Sequence, residues 1–185
     1  MSALPPDSFP AAFRSPWIPP ATFPAISSPS HKVTLAARWT AVHDAAAVVA
    51  ALAFLTHQLG VRLLLGSFAA STLIVFAYPD SPFAQPRSLL LGHLIGSAGG
   101  LAAANLFPGQ WWAPALAVGL AICLMKATRS VHPPACSNPL IVFALDQAPW
   151  SFLLCPTLAG AALIVGVALV YHNLRRAAPW PKYWL

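Results

Sequence analysis

The stretch with the most chemical potential in this chain is Arg129-Ser130-Val131-His132-Pro133-Pro134-Ala135-Cys136-Ser137-Asn138-Pro139. Its prolines lack backbone N–H donors, so the stretch cannot form one continuous helix. Asn138 before Pro139 resembles a cap that opens a new short helix, and the unpaired N–H groups at such a helix start favour an anion. Arg129 and His132 favour an anion as well. The stretch therefore predicts an anion site at a broken helix.

A second stretch, Arg62 to Thr72, carries an arginine followed by small and hydroxylated residues. The hydroxyl groups of Ser67 and Ser71 can donate hydrogen bonds, and Gly66 permits close backbone approach. We expect the arginine of this stretch to converge with Arg129 on one anion pathway. The alternative is that the small residues only allow helices to pack closely.

His93 lies in a glycine-rich run that includes Gly92, Gly96 and Gly100. A packing histidine and a pathway histidine both fit this run, whereas no carboxylate or thiolate spacing indicates a metal. The same glycine face is compatible with a homo-oligomer formed through this helix. The predicted substrate-binding residues are Arg62, Ser67, Ser71, His93, Arg129, His132, Ser137 and Asn138, and the predicted structural breaks are Gly66, Pro133, Pro134 and Pro139.

The acidic residues are too few for most enzyme mechanisms. The chain has 4 Asp and Glu residues, and they form no pair suited to acid–base chemistry. It also lacks a phosphate-binding glycine loop and a nucleophile elbow, so we predict neither an enzyme nor a bound cofactor. The 10 Lys and Arg residues are scattered between apolar runs, which argues against a nucleic-acid partner.

The composition is that of a protein embedded in a lipid bilayer. Hydrophobic residues make up 58% of the 185 and charged residues 8%, and the mean hydropathy is +0.68. The proline-rich residues 1–34 contain no run long enough to span, and we interpret them as a disordered cytoplasmic tail, with an organellar transit peptide as the minor alternative. The apolar runs that follow are 41–59, 63–78, 88–107, 112–128, 136–148 and 151–174.

An internal repeat organises these six runs. A shift of 67 residues places Leu73–Ala77 on the identical pentapeptide Leu140–Ala144 and Arg62 on Arg129. The halves, about 41–107 and 112–174, would then each contain a long, a short or broken, and a long segment. An odd number of crossings per half gives opposite orientations, so we predict an all-α, polytopic 3+3 inverted repeat. Chance identity in so biased a composition is the alternative.

Charge placement predicts the orientation of the six segments. With six crossings, both termini lie in the cytoplasm together with nearly all Lys and Arg residues, and only Arg62 lies outside. If the short segments re-enter without crossing, this bias weakens. We therefore predict a multi-pass protein of the inner (plasma) membrane, with a plastid membrane as the alternative.

Several short blocks resemble the HPP family of integral membrane proteins, which takes its name from a motif present here as His132-Pro133-Pro134. The other matching blocks lie in the same order between residues 60 and 185: GSFAAS (66–71), SPFAQPR (81–87), GHLIGS (92–97), NPLIV (138–142) and WPKYW (180–184). Cys136-Ser137 and Ala69 depart from the expected pattern. The family is usually described as having four spans, which conflicts with six.

The resemblance implies a membrane transporter, since plant plastid members of the family are associated with nitrite transport. Together with the two broken stretches, it leads to the hypothesis of a transporter or channel for a small monovalent anion, with nitrite as the leading candidate. The alternative hypothesis is a membrane scaffold or sensor subunit that does not transport and acts with a soluble partner.

Overall fold

The computed structural model of the protein describes residues 35–60, 63–145, 147–175 and 179–184. The predicted tail, residues 1–34, and the candidate Arg62 lie outside the described residues. Within them the secondary structure is helical and contains no strand, which confirms the all-α prediction. The α-helices are α1 (Leu35–Leu59), α2 (Gly66–Ala77), α3 (Pro86–Leu106), α4 (Ala113–Ala127), α5 (Asn138–Ala144) and α6 (Ala159–Arg175).

Two helical stretches of the described chain are both long enough and apolar enough to cross a bilayer unaided. They are Pro86–Leu106 and Trp150–Leu174, the second of which leads through a distorted turn, Leu154–Leu158, into α6. Helices α2 and α4 are apolar but shorter. Large apolar side chains on several helices are exposed, among them Leu73, Leu120 and Val170. Such a surface suits lipid rather than water.

The proline-containing stretch is broken, as the sequence predicts, but it is not bare coil. Residues 130–132 are non-helical, Pro133–Ser137 form a 3₁₀ helix, and α5 follows directly. At about 3.3, 2.0 and 1.5 Å of rise per residue, these three parts would together extend roughly 30 Å if collinear. A short α5 is therefore compatible with a segment that crosses the hydrocarbon core.

The prediction that Asn138 caps a free helix start is wrong. Asn138 is the first residue of α5, and its N–H bonds to the carbonyl of Ala135 because the 3₁₀ helix runs straight into α5. The capping position, Ser137, makes no side-chain hydrogen bond to the helix start. No free amino terminus is left at Asn138 to attract an anion, so the helix-dipole part of the prediction fails there.

The glycine face of α3 packs against the broken stretch of the same chain. A Cβ atom at Gly92 would lie 2.7 Å from Cβ of His132, and one at Gly100 would lie 2.7 Å from Cα of Pro139. At Gly96 a Cβ would overlap the carbonyl oxygen of Ala135. This face is thus buried within the chain and is not available to a second copy, contrary to the predicted role in self-association.

Residues 179–184, which we call the strap, pack across the loop between α2 and α3. The backbone N–H of Lys182 donates to Oε1 of Gln85, and Nζ of Lys182 lies 3.4 Å from Asp80. Asn173 holds the strap from α6, donating to the carbonyl of Trp180 at 2.7 Å and accepting from its N–H at 3.1 Å. Trp180, the first residue of the WPKYW block, is 1% exposed.

Gln85 is fully buried and uses every polar atom of its amide. Its Nε2 donates to the carbonyls of Pro79 and Ser81, and its Oε1 accepts from Lys182. We expect Gln85→Ala to reduce the free energy of unfolding by about 2–4 kcal/mol, since buried groups lose hydrogen-bond partners. Thermal unfolding in detergent would measure this, with the exposed Gln110→Ala as the matched control. Equal melting temperatures for the two variants would contradict the strap's contribution.

Candidate functional site

Seven residues with buried polar side chains are joined by hydrogen bonds in the interior of this apolar bundle, one of them, Ser67, through its backbone carbonyl. Each of them is at most 4% exposed. They come from α2, α3, the broken stretch with α5, and the distorted turn before α6. Polar groups at such depth in a membrane protein need internal partners. The residues of this polar cluster are Ser67, Ser71, His93, Ser97, His132, Asn138 and Thr157.

The hydroxyl group of Ser71 lies between two imidazole rings. Its Oγ is 2.9 Å from Nε2 of His93 and 2.9 Å from Nε2 of His132. The ring centroids of the two histidines are 5.1 Å apart. Oγ also lies 3.0 Å from the carbonyl oxygen of Ser67, one helical turn earlier. One hydroxyl group therefore connects α2, α3 and the broken stretch.

His93 is held on its other nitrogen by Asn138. Nδ2 of Asn138 donates to Nδ1 of His93 at 3.0 Å and to Oγ of Ser97 at 2.9 Å. His93 and Ser97 are four residues apart on α3 and so lie on one face, opposite α5. The rings of Phe68 and His93 pack in a T-shaped arrangement, with their centroids 4.9 Å apart and an angle of 71° between their planes. These contacts fix the orientation of the His93 ring.

His132 connects the cluster to one end of the bundle. Its Nδ1 lies 2.7 Å from the carbonyl oxygen of Phe83, in the 3₁₀ turn Pro82–Ala84 that precedes α3. Arg87 donates to the carbonyl of Thr128 close by, which places the start of α3 beside the end of α4. We call this region, residues 78–87, 128–132 and 179–184, the Phe83 end of the bundle.

Ser97 extends the cluster toward the last helix. Its Oγ lies 2.9 Å from Oγ1 of Thr157. Thr157 belongs to the turn Leu154–Leu158, where Cys155 has a non-helical backbone, and that distortion accompanies the inward position of Thr157. The two halves of the predicted repeat are thus joined by hydroxyl and amide contacts rather than by apolar packing alone.

The structure brings five of the predicted site residues together: Ser71, His93, His132 and Asn138 through their side chains, and Ser67 through its backbone carbonyl. Arg129 is not among them, because it is exposed at the Phe83 end, with a left-handed φ of 53°. Ser137 is half-buried and donates to the carbonyl of Pro134. Arg62 lies outside the described residues. No arginine of the described chain reaches the cluster through the hydrogen bonds seen there.

Sequence reasoning missed Ser97 and Thr157. Ser97 was recognisable in principle, since it follows His93 by four residues on the same helical face. Thr157 carries no such signal, because it sits beside Pro156 in an otherwise apolar run. Within the described residues there is no group of three or more His, Cys, Asp or Glu side chains that would hold a metal ion.

An all-helical bundle with a lipid-suited exterior and a buried polar cluster defines an integral membrane protein with an internal polar site. The comparison of sequences then gives the family: the profile described as HPP, transmembrane region, matches residues 30–181. The chain belongs to the HPP family. The motif His132-Pro133-Pro134 lies where the cluster meets the 3₁₀ helix.

Two transmembrane proteins of Dictyostelium discoideum are similar to this chain. One is 39% identical over 130 residues, covering 66% of this chain and 46% of the relative. The other is 37% identical over 128 residues, covering 65% of this chain and 41% of the relative. The match therefore spans less than half the length of each relative. No solved structure matches.

Proposed function

We propose that the protein transports a small monovalent anion across the membrane and that the polar cluster is the site through which the anion passes. The observation that carries the proposal is the Ser71 hydroxyl between His93 and His132, buried in an apolar bundle. Polar and ionisable groups at membrane depth are costly to keep and tend to mark solute or ion pathways. Nitrite is the leading candidate, and formate, nitrate and chloride are the alternatives to compare.

The chemistry of the cluster suits an anion. Its side chains offer hydroxyl, imidazole and amide donors, and its seven residues include no carboxylate that would repel a negative charge. Hydroxyl and amide donors can replace part of an anion's hydration shell without binding it as tightly as a buried arginine would. A site of this kind is suited to release as well as to binding.

The proposed path must open and close, since every member of the cluster is buried in this conformation. A cavity of about 470 Å³ lies at the opposite end of the bundle from Phe83, and its lining includes Asn105, Gly109 and Gln147. The cluster lies between this cavity and the Phe83 end. Movement of the broken stretch against α3 would connect it to one side at a time.

The repeat supports such a movement. Shifting α2, Gly66–Ala77, by 67 residues gives 133–144, which are the bounds of the 3₁₀ helix and α5 taken together. The same shift carries Ser71 onto Asn138, and these two residues hold the two nitrogens of His93. We propose that the halves are inverted and that His93 lies near the axis relating them, with the short segments as the moving parts.

Arg129 was predicted from the sequence to bind the substrate, but its position suits a different role. It is exposed near Lys126 in sequence and at the same end as Arg87, where it can attract anions without touching the cluster. We expect Arg129→Gln to raise the half-saturating anion concentration about fivefold at low salt, because one surface charge contributes about 1 kcal/mol. The maximal rate should stay unchanged. Initial uptake rates across anion concentrations, at low and high salt, would measure both quantities.

Uptake by purified protein in liposomes tests the function itself. The expected result is saturable flux of at least one of nitrite, nitrate, formate and chloride, above that of protein-free liposomes. Folded protein that moves none of the four would contradict transport of a small anion. In that case the scaffold or sensor hypothesis gains weight, and a soluble protein that binds the purified chain with defined stoichiometry would support it.

A further inference from the structure

A row of hydrogen bonds runs through the polar cluster from Asn138 to the carbonyl of Phe83. It passes through His93, Ser71 and His132, with successive distances of 3.0, 2.9, 2.9 and 2.7 Å. We propose that Ser71, His93 and His132 form a proton relay, so that the protein moves a proton together with its anion. This inference rests on the proposed transport function and adds the coupling ion to it.

The carbonyl of Phe83 determines which atoms donate in the hydrogen bonds of His132. A carbonyl oxygen only accepts, so Nδ1 of His132 carries a proton and donates it. In a neutral imidazole, Nε2 is then bare and accepts the hydroxyl proton of Ser71. His132 is therefore the tautomer protonated on Nδ1.

The direction near His93 follows from Asn138. The Nδ2 group of Asn138 only donates, so Nδ1 of His93 is bare and its Nε2 carries the proton. That proton is donated to Oγ of Ser71. Ser71 thus accepts from His93 and shares its one hydroxyl proton between Nε2 of His132, at 2.9 Å, and the carbonyl of Ser67, at 3.0 Å. The bonds along the row from Asn138 to Phe83 then all point toward the Phe83 end. A row with one direction is the arrangement that a proton relay requires.

The proton balance of one passage is simple. A proton binds to Nδ1 of His93, and the proton on its Nε2 moves to Oγ of Ser71. The former hydroxyl proton of Ser71 moves to Nε2 of His132, whose Nδ1 proton leaves beside Phe83. One proton enters and one leaves, so the net charge of the relay does not change. Both imidazoles end in the opposite tautomer, and the relay must be reset before the next passage.

The side-chain amide of Asn138 can rotate when Nδ1 of His93 gains a proton. Its Oδ1 is buried and has no hydrogen-bond partner, although Asn138 is 0% exposed. When Nδ1 of His93 becomes protonated, it needs an acceptor in place of a donor. Rotation of the amide by half a turn would bring Oδ1 to that nitrogen, at the loss of the contact of 3.3 Å between Nδ2 and the carbonyl of His93. The carbonyl of Ser67, 3.0 Å from Oγ of Ser71, offers the hydroxyl proton an alternative acceptor during the reset.

The other charged side chains on the described elements around the relay are directed away from it. The elements that contact the two imidazoles carry three further titratable or charged side chains. Arg87 is directed to the carbonyl of Thr128, Arg129 is exposed, and the thiol of Cys136 contacts Sδ of Met125. Proton movement in the cluster therefore depends on the two histidines and the hydroxyl group between them.

The charge carried per anion tests the relay. We would place the purified full chain in liposomes with nitrite, set the membrane voltage with a potassium gradient and valinomycin, and record internal pH with a trapped dye. The expected result is one proton per anion and an uptake that does not respond to voltage, after subtraction of protein-free liposomes. An anion moving alone would instead accumulate about 50-fold at about 100 mV.

The outcomes separate the two proposals. If folded protein moves none of the four small anions, the transport function fails and the relay fails with it. If the protein moves nitrite and the uptake responds to voltage without proton movement, only the relay is overturned. Transport with one proton per anion supports both.

Two variants of α2 and one spectroscopic measurement test the relay residues. Ser71→Ala should abolish coupled uptake, whereas Thr72→Val, which removes the neighbouring buried hydroxyl of the same helix, should retain one proton per anion. Coupled uptake by Ser71→Ala at the wild-type ratio would overturn the relay. Nitrogen-15 NMR of the histidines in nanodiscs should show His132 protonated on Nδ1 and His93 on Nε2. Both histidines protonated on the same kind of nitrogen would leave Ser71 between two donors or two acceptors, and that result would also overturn the relay.

Discussion

Gly96→Ala is expected to destabilise the folded protein by at least about 2 kcal/mol, because overpacking a tight contact costs about 1–3 kcal/mol or more. A Cβ atom at this position would overlap the carbonyl oxygen of Ala135 and lie 3.2 Å from Cβ of Asn138. The overlapping atom belongs to the backbone, so it cannot move as the end of a flexible side chain does. The gain in helix propensity, about 1 kcal/mol at most, does not offset this. Thermal unfolding in detergent would measure the loss.

Gly99→Ala is the matched control for this prediction. It lies on the same helix, α3, and its added Cβ would meet its nearest atoms at 3.9 and 4.0 Å, which is ordinary contact. We expect this variant to be neutral or more stable by about 0.4–1 kcal/mol, since alanine restricts the unfolded chain. If the two variants melt at the same temperature, the packing of α3 against the broken stretch is not as close as the structure places it.

His93→Ala is expected to lower the rate of anion uptake about 10- to 100-fold. Each buried group that loses its hydrogen bond raises the free energy of the site by about 1–3 kcal/mol. The substitution removes a hydrogen-bond partner of both Ser71 and Asn138, which the proposed repeat would place in equivalent positions. It also leaves a space beside Phe68. Uptake should be expressed per folded molecule, determined by size-exclusion chromatography.

His172→Ala is the control that separates transport from stability. His172 is also a buried histidine, at 1% exposure, but it lies on α6 and Nε2 bonds to the carbonyl of Val75 outside the cluster. Both variants should be less stable than the wild type, because each loses a buried imidazole. Only His93→Ala should lose uptake. A similar loss of uptake in both variants would show that the rate follows stability and not the cluster.

The sequence predicted most of the features that depend on local chemistry. Apolar composition predicted helices in a bilayer, and the prolines at 133 and 134 predicted a break, since neither residue has an N–H to donate. The short blocks around His132 led to the family. Five cluster residues were predicted because hydroxyl, imidazole and amide groups are unusual in apolar runs. Each of these inferences needs only a residue and its close neighbours along the chain.

The predictions from the sequence were wrong where the role of a residue depends on which way it faces in the folded protein. Arg129 was expected in the site because it precedes His132 by three residues, but the turn between α4 and the broken stretch directs it to the surface. Asn138 was expected to cap a helix because it precedes a proline, but its amide has better partners in His93 and Ser97. The glycines of α3 were expected to meet a second chain and instead meet their own.

By itself, then, the sequence determined the class of protein, the family and where its helices break, because composition and proline act locally. Only the tertiary structure decided that the Ser71 hydroxyl lies between His93 and His132, which are 22 and 61 residues away along the chain. That arrangement arises because glycines let α3 approach the broken stretch until the imidazoles share one partner. Backbone distances of this kind are set by the packing of whole helices, and no single stretch of sequence contains them.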